Sequence, residues 1–143
     1  VPTDRLYLGQ KDYQQCMVLS RLLELTGRSG IVRLVICPTL REHDGLAMSS
    51  RNLRLAKEER EKAPAIYHSL RQIKNELRPG KTEEVKKKAI EWLKEKGFKP
   101  DYAEIAYAKD LVPVTEWDGK QKLVALVAAS LNDIRLIDNI VLN

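Results

Sequence analysis

Residues 31–37, IVRLVIC, are the stretch that most limits what this chain can fold into. The run is almost entirely apolar and rich in β-branched residues, which is typical of a strand covered on both faces. Residues 4–8 predict an earlier, shorter strand, and the segment between the two strands has helical spacing. Strand, helix and strand at these distances predict a βαβ unit with parallel strands.

The helix in this unit is predicted from its start, its stop and its apolar positions. Asp12 is expected to cap the start and Gly27 to end the helix. Val18, Leu22 and Leu25 recur at helical spacing and are therefore expected to form a buried face.

The later part of the chain has a different pattern. Pro64 suits the first turn of a helix, and an apolar stripe follows it at residues 66, 70, 73 and 77. Thr82 is expected to cap a second helix that stops at Gly97. Both helices are therefore expected to cover a sheet with one face each.

The remaining residues predict an antiparallel sheet. Asp118-Gly119 is a strong hairpin signal, residues 122–131 predict a central strand, and residues 135–142 predict the closing strand. The predicted fold class is α/β, with a βαβ part in residues 1–49 and a small α+β domain, helices on an antiparallel sheet, in residues 50–143.

Composition narrows the class of protein. Of the 143 residues, 43% are hydrophobic and 31% are charged, which is a globular balance, and no apolar run approaches the length of a membrane span. Cys16 and Cys37 are expected to be free thiols in a reducing compartment, and a cytoplasmic location is expected. Two cysteines and two histidines without tight spacing predict no metal site. A start at Val1 suggests a fragment of something longer.

Residues 44–52, DGLAMSSRN, carry the densest chemistry in the chain. Backbone N–H groups near Gly45, the hydroxyls of Ser49 and Ser50, and the guanidinium of Arg51 are donors that suit an anion such as phosphate. The alternative is a surface connection with an N-capping serine.

A second loop is expected beside the first. Ligands of open α/β sheets bind at the carboxyl ends of the strands. Residues 9–12 follow the first strand and residues 38–51 follow the second. If the strands are neighbours, Lys11 converges with Ser49, Ser50 and Arg51 on one crevice.

Much of the net charge of +5 lies between Lys86 and Lys99. Such a run is usually a solvated face, and nucleic-acid binding would require aromatic platforms or a recognition helix beside it. Nucleic acid is therefore only a second choice of partner, although a non-catalytic interaction domain using this face stays an alternative. His43 is expected to be a loop side chain and His68 a structural residue on a helix surface.

The motifs resemble those of the pantothenate synthetase (pantoate–β-alanine ligase) family. Residues 9–15, GQKDYQQ, are similar to one family motif, with Gln10 in place of the commoner Glu. Residues 38–42, PTLRE, and 48–52, MSSRN, follow in the family's order, and residues 135–139, RLIDN, are similar to its C-terminal signature. The resemblance implies a Rossmann-like nucleotidyltransferase fold followed by a lid domain.

The resemblance implies an ATP-dependent condensation of pantoate with β-alanine through a pantoyl adenylate. It places Lys11, Ser49, Ser50 and Arg51 at the phosphates as the catalytic set, and Gln15 at pantoate. The expected ATP-binding residues are Gly9, Gln10, Lys11, Asp12, Leu40, Met48, Ser49, Ser50 and Arg51.

The family's first half, with its His-x-Gly-His motif, is not in this chain. The resemblance implies that this half supplies most ligands of the Mg²⁺ that accompanies ATP and much of a homodimer contact. The chain is therefore expected to be a C-terminal half that is inactive alone. A stand-alone nucleotide-binding module that uses the same two loops stays an alternative.

Overall fold

The computed structural model describes residues 3–143, and its contacts divide the chain into two compact units, Val1–Thr39 and Leu40–Asn143. The sequence places this boundary between residues 49 and 50. The contacts place it earlier because Leu46 is buried in the core of the second unit.

The first unit is a βαβ unit with parallel strands. Strand β1 (Arg5–Gly9) leads through one 3₁₀ turn (Gln10–Asp12) into helix α1 (Tyr13–Leu25), and strand β2 (Arg33–Cys37) follows. The two strands pair in parallel from Arg5 with Arg33 to Gly9 with Cys37, which confirms the predicted parallel pairing. Both loops singled out in the sequence thus follow the carboxyl end of a strand.

Two expectations for this unit are wrong. Strand β2 starts at Arg33, because residues 31 and 32 close a turn by donating to the carbonyl of Arg28, and β2 is only half-buried or exposed. Val18, Leu22 and Leu25 are each more than half exposed, so no element among residues 3–143 covers the apolar stripe of α1.

The second unit has two helices over a three-stranded antiparallel sheet, as predicted. Its elements are a 3₁₀ helix (Ser50–Arg54), α2 (Lys57–Lys62), α3 (Ala65–Glu76), β3 (Gly80–Lys81), α4 (Glu83–Glu95), β4 (Lys99–Tyr107), β5 (Glu116–Trp117), β6 (Leu123–Leu131) and β7 (Ile134–Val141). The strand order is β4-β6-β7, so β6 is central.

The core of this unit joins the helices to one face of the sheet. The predicted stripe of α3 is buried throughout, and Ala89 and Leu93 of α4 are buried as well. Alternate residues of β6 belong to the same cluster, as expected for a strand that turns every second side chain toward the helices. This packing holds β7 beside β6.

Two local expectations are corrected here. Asp118 and Gly119 form a turn, but β5 before them pairs with β3 and not with β6, so they do not close a hairpin. Thr82 stands at the start of α4 without a side-chain cap bond, because its hydroxyl donates to the carbonyl of Val114 at 2.5 Å.

Candidate functional site

The first candidate loop closes β1 and opens α1. Gly9 has extended backbone and pairs with Cys37, and a Cβ added to Gly9 would meet nothing within 4 Å. The space beside the Cα of Gly9 is therefore open, and its backbone is accessible there. Lys11 is half-buried on the 3₁₀ turn that follows.

Asp12 does not cap α1 with its side chain, which corrects the expectation from the sequence. Its carboxylate is exposed on the rim of the same turn, and Gln15 is exposed in the first turn of α1. Both side chains are therefore exposed to solvent.

Cys16 is part of the support under this loop. Its thiol is buried and donates to the carbonyl of Gly9 at 3.5 Å. Burial and then the nearby charge of Asp12 raise the pKa of the Cys16 thiol. The raised pKa keeps the thiol protonated. Because only the thiolate is a good nucleophile, we assign Cys16 a packing role.

The second candidate loop starts as a tight turn over residues 40–48. Its two arms are joined where the Met48 N–H donates to the Leu40 carbonyl at 2.9 Å and the Glu42 N–H donates to the Leu46 carbonyl at 2.8 Å. Asp44 closes the tip, since its carboxylate accepts from the Leu46 N–H at 3.2 Å. The turn is therefore defined by its own backbone.

Gly45, at the tip, lies against the ring of Tyr67 on α3. Its φ is +93°, and an added Cβ would lie 2.3 Å from Cδ1 of Tyr67. Only glycine combines that backbone with that close approach.

Ser49, Ser50 and Arg51 follow on the next turn. Ser49 caps the 3₁₀ helix by accepting from the Arg51 N–H at 3.2 Å, as the N-capping alternative predicts. Ser50 and Arg51 are exposed. The cap thus fixes the backbone while the Ser50 hydroxyl and the Arg51 guanidinium face solvent.

Asn52 ties this turn to the preceding one. Its Nδ2 donates to the Ala47 carbonyl at 3.0 Å, and its buried Oδ1 has no hydrogen-bond partner among residues 3–143. The segment from Ala47 to Asn52 is therefore closed on itself.

An ion pair on α2 supports the same loop. Arg60 donates to Asp44 at 2.6 Å. That hydrogen bond lowers the pKa of Asp44, burial opposes the shift, and the bond to the Leu46 N–H adds to it. Asp44 is therefore held ionised and structural.

A partly buried ion pair that no sequence pattern predicted lies beneath the turn. Arg41 binds both carboxylate oxygens of Asp138 on β7, at 2.6 and 3.0 Å. The available signal was Asp138 itself, a charged residue between the apolar Leu136 and Ile140 on the final strand, because a buried carboxylate requires a partner.

The structure assigns the predicted residues to different units. Gly9, Gln10, Lys11, Asp12 and Gln15 belong to the first, and Leu40, Met48, Ser49, Ser50 and Arg51 belong to the second. Within each unit the residues are close together. The convergence of Lys11 with Ser49, Ser50 and Arg51 stays a prediction.

Ion pairs with nearby glutamates neutralise part of the positive charge of the lysine-rich helix α4. Lys86 bonds to Glu83 and Glu104 at 3.0 Å each, and Lys88 bonds to Glu76 at 3.1 Å. Burial opposes the charge on Lys86, but its two carboxylate partners outweigh that effect and raise its pKa. These internal pairs favour a solvated structural face over a nucleic-acid interface.

Over residues 3–143 no three His, Cys, Asp or Glu side chains are grouped as a metal site requires. None of the described helices has both the length and the apolar character needed to cross a bilayer.

Comparisons with known proteins agree with the motif order. The family model for pantoate-beta-alanine ligase matches residues 1–141. Pantothenate synthetase of Chromohalobacter salexigens is 43% identical over 141 residues, covering 98% of this chain and 48% of the relative. Pantoate–beta-alanine ligase of Oryza sativa subsp. japonica is 40% identical over 142 residues, covering 98% and 44%.

Solved structures give the same result. Pantothenate synthetase from Thermus thermophilus superposes with a TM-score of 0.82 at 36% identity, covering 96% of this chain and 49% of that one. The Francisella tularensis enzyme, complexed with beta-gamma ATP and beta-alanine, gives 0.65 at 30% identity, covering 96% and 43%. The chain spans about half the length of the curated relatives it matches. On this evidence the chain belongs to the pantoate-beta-alanine ligase family.

Proposed function

We propose that this chain is the phosphate-binding and lid-bearing part of an ATP-dependent ligase that condenses pantoate with β-alanine. The observation that carries the proposal is the Ser49-capped turn, which fixes its own backbone and leaves Ser50 and Arg51 exposed. Donors held in advance at a charged reaction centre are the main source of stabilisation in such reactions.

The proposed reaction has two steps. A carboxylate oxygen of pantoate attacks the α-phosphorus of ATP, and the bond to the pyrophosphate oxygen breaks. The amine of β-alanine then attacks the acyl carbon of pantoyl adenylate, AMP leaves with the bonding electron pair, and the nitrogen loses a proton to solvent. Negative charge grows on the phosphates in the first step, so cationic and N–H donors are needed there.

We assign Lys11, Ser49, Ser50 and Arg51 to the phosphates as the catalytic set. Catalysis by these residues is positioning and charge stabilisation, and it requires no general base from them. The exposure of Ser50 and Arg51, and the backbone fixed by Ser49, support this assignment.

Other predicted residues are assigned to the nucleoside and to pantoate. Leu40 is 75% exposed and Met48 is 47% exposed, although both are apolar, and their backbones are bonded to each other. They offer a small apolar surface for the nucleoside. Gly9 and Asp12 are assigned to the ribose side, Gln10 to ATP through its backbone, and exposed Gln15 to pantoate.

The remaining features of the proposal follow the family. We infer a Rossmann-like nucleotide-binding part, a C-terminal lid, a cytoplasmic homodimer, and Mg²⁺ that enters with ATP and neutralises phosphate charge. Because the chain spans about half the length of its relatives, we expect the 143 residues alone to be inactive or nearly so.

The test is pantothenate formation from ATP, Mg²⁺, pantoate and β-alanine. It compares the protein as its gene encodes it with the isolated 143-residue chain. Arg51→Ala should lower kcat about 10²- to 10³-fold, as the loss of one transition-state donor does. Arg54→Ala removes an exposed arginine from the same 3₁₀ helix and should change kcat less than about twofold.

Wild-type activity in Arg51→Ala would refute the role of the loop. No turnover by the encoded protein would refute the ligase. ATP binding that is lost in Lys11→Ala would then favour a nucleotide-binding module.

A further inference from the structure

Asp138 is a carboxylate on the apolar side of β7. It pairs in register with Val127, and Leu136 pairs with Ala129, so both face the side of the sheet that packs on the helices. Asp138 is only 2% exposed. An ionised group in such a place needs a cationic partner with good geometry.

Arg41 is that partner, and it joins the sheet to the loop. One terminal nitrogen donates to Asp138 at 2.6 Å and to the Gly45 carbonyl at 3.0 Å. The other donates to Asp138 at 3.0 Å and to the Asn139 carbonyl at 3.3 Å. The guanidinium carbon also lies 4.1 Å from the ring centroid of Tyr67, a stacking distance.

These contacts are used inside the protein. Both terminal nitrogens of Arg41 have two protein acceptors each, so the side chain is a support and not a ligand-binding group. The support continues to the proposed phosphate turn, because Arg41 forms a bridge with Ala47 and Asn52 donates to the Ala47 carbonyl.

We propose that Arg41, locked by Asp138, is a positioning residue that sets the place of Ser49, Ser50 and Arg51 for the adenylate-forming step. This inference rests on the proposed function. It makes the last strand of the second unit part of the catalytic geometry, although no residue of that strand is assigned to a substrate.

The test uses the protein as its gene encodes it, with Arg41→Lys as the main variant. Lysine keeps the positive charge beside Asp138 but loses the paired bonds and the planar stack on Tyr67. Arg135→Lys is the matched control, because Arg135 on the same strand also bonds an aspartate, Asp101, at 2.6 Å, but on the exposed surface.

Two readouts separate positioning from simple stability. Steady-state kinetics should give a kcat about tenfold to a hundredfold lower in Arg41→Lys, with KM for β-alanine within about twofold of wild type. Amide exchange at residues 45–51 should be about tenfold faster, while exchange in α3 and α4 is unchanged. Arg135→Lys should change neither quantity.

Wild-type kcat and wild-type exchange at residues 45–51 in Arg41→Lys would overturn the inference. A fall in kcat no larger than the fall in folded fraction would overturn it too. If Arg41→Lys does not fold, Asp138→Asn decides by the same readouts. If the wild type makes no pantothenate, the proposed function fails, and the exchange data alone decide whether Arg41 holds the loop.

Discussion

Replacing Gly45 with alanine would bring a methyl group to 2.3 Å from Cδ1 of Tyr67, where ordinary contact begins at 3.4 Å. The ring is the more movable partner, but it is stacked on Arg41, which is itself bound to Asp138. The clash cannot be relieved without moving the loop or breaking that stack. The variant therefore tests how tightly the turn packs against the ring of Tyr67.

The magnitude can be worked out against a second glycine. Gly97 has φ +85°, close to the +93° of Gly45, but an added Cβ at Gly97 meets nothing within 4 Å. Gly97→Ala should therefore show the backbone strain alone, about 1–3 kcal/mol in the free energy of unfolding. Gly45→Ala should add an overpacking term of about 1–3 kcal/mol.

The assay is equilibrium urea unfolding of the wild type and both variants, with m-values compared to confirm two-state behaviour. A double-mutant cycle with Tyr67→Ala isolates the clash, because removing the ring removes the contact. The Gly45→Ala cost should fall by about 1–3 kcal/mol in the Tyr67→Ala background. Equal costs for Gly45→Ala and Gly97→Ala, with no coupling to Tyr67, would refute the reasoning.

Two further predictions concern the packing of the core and the loss of folding stability at acid pH. Leu93→Ala should lower the free energy of unfolding in urea by about 2–5 kcal/mol, because Leu93 is 0% exposed. Leu53→Ala is the control, because Leu53 is 89% exposed, and it should change that free energy by less than about 0.5 kcal/mol. Similar costs for the two variants would contradict the assignment of Leu93 to the core. The hydrogen bond from Arg60 keeps the folded-state pKa of Asp44 below its unfolded value of about 3.9, so its contribution is present above that pH and is lost as pH falls through the folded pKa. Asp44→Asn should therefore flatten the loss of stability below about pH 4 in thermal unfolding from about pH 7 to about pH 2, and parallel pH profiles for variant and wild type would contradict this.

Local patterns could be predicted from the sequence because their causes are local. The stripe of α3 is buried as expected, since helical spacing alone places Ile66, Leu70 and Ile73 on one face. Gly27 ends α1 with φ +67°, a conformation that follows from the residue itself. The Ser49 cap also has a local cause, because its hydroxyl accepts from the N–H of Arg51, two residues away.

Pairing and burial could not be predicted in this way. The Asp118-Gly119 turn is local, but the partner of β5 is β3, and no nearby residue specifies that choice. The stripe of α1 has the right period and is nevertheless exposed, because period does not say what packs on a helix. Strand β2 has the composition of a fully buried strand and is only half-buried or exposed for the same reason.

For the candidate site, the sequence supplied the residues proposed to face the ligand and missed their support. Ser49, Ser50 and Arg51 are recognisable because their side chains carry donors. Arg41 and Asp138 are 97 residues apart in the chain, and only the three-dimensional structure brings them together.

That separation also has a consequence for the order of events during synthesis. Ribosomes add about 5–20 residues per second, so roughly 5–20 s pass between the addition of Arg41 and the addition of Asp138. During this interval the guanidinium has no carboxylate of Asp138 to bind, and the nascent turn lacks its anchor. The segment proposed to hold the phosphates is thus made early but matures late. A premature stop in β7 before Asp138 would leave every proposed ligand-binding residue in place and still remove the anchor that holds Ser49, Ser50 and Arg51 in position.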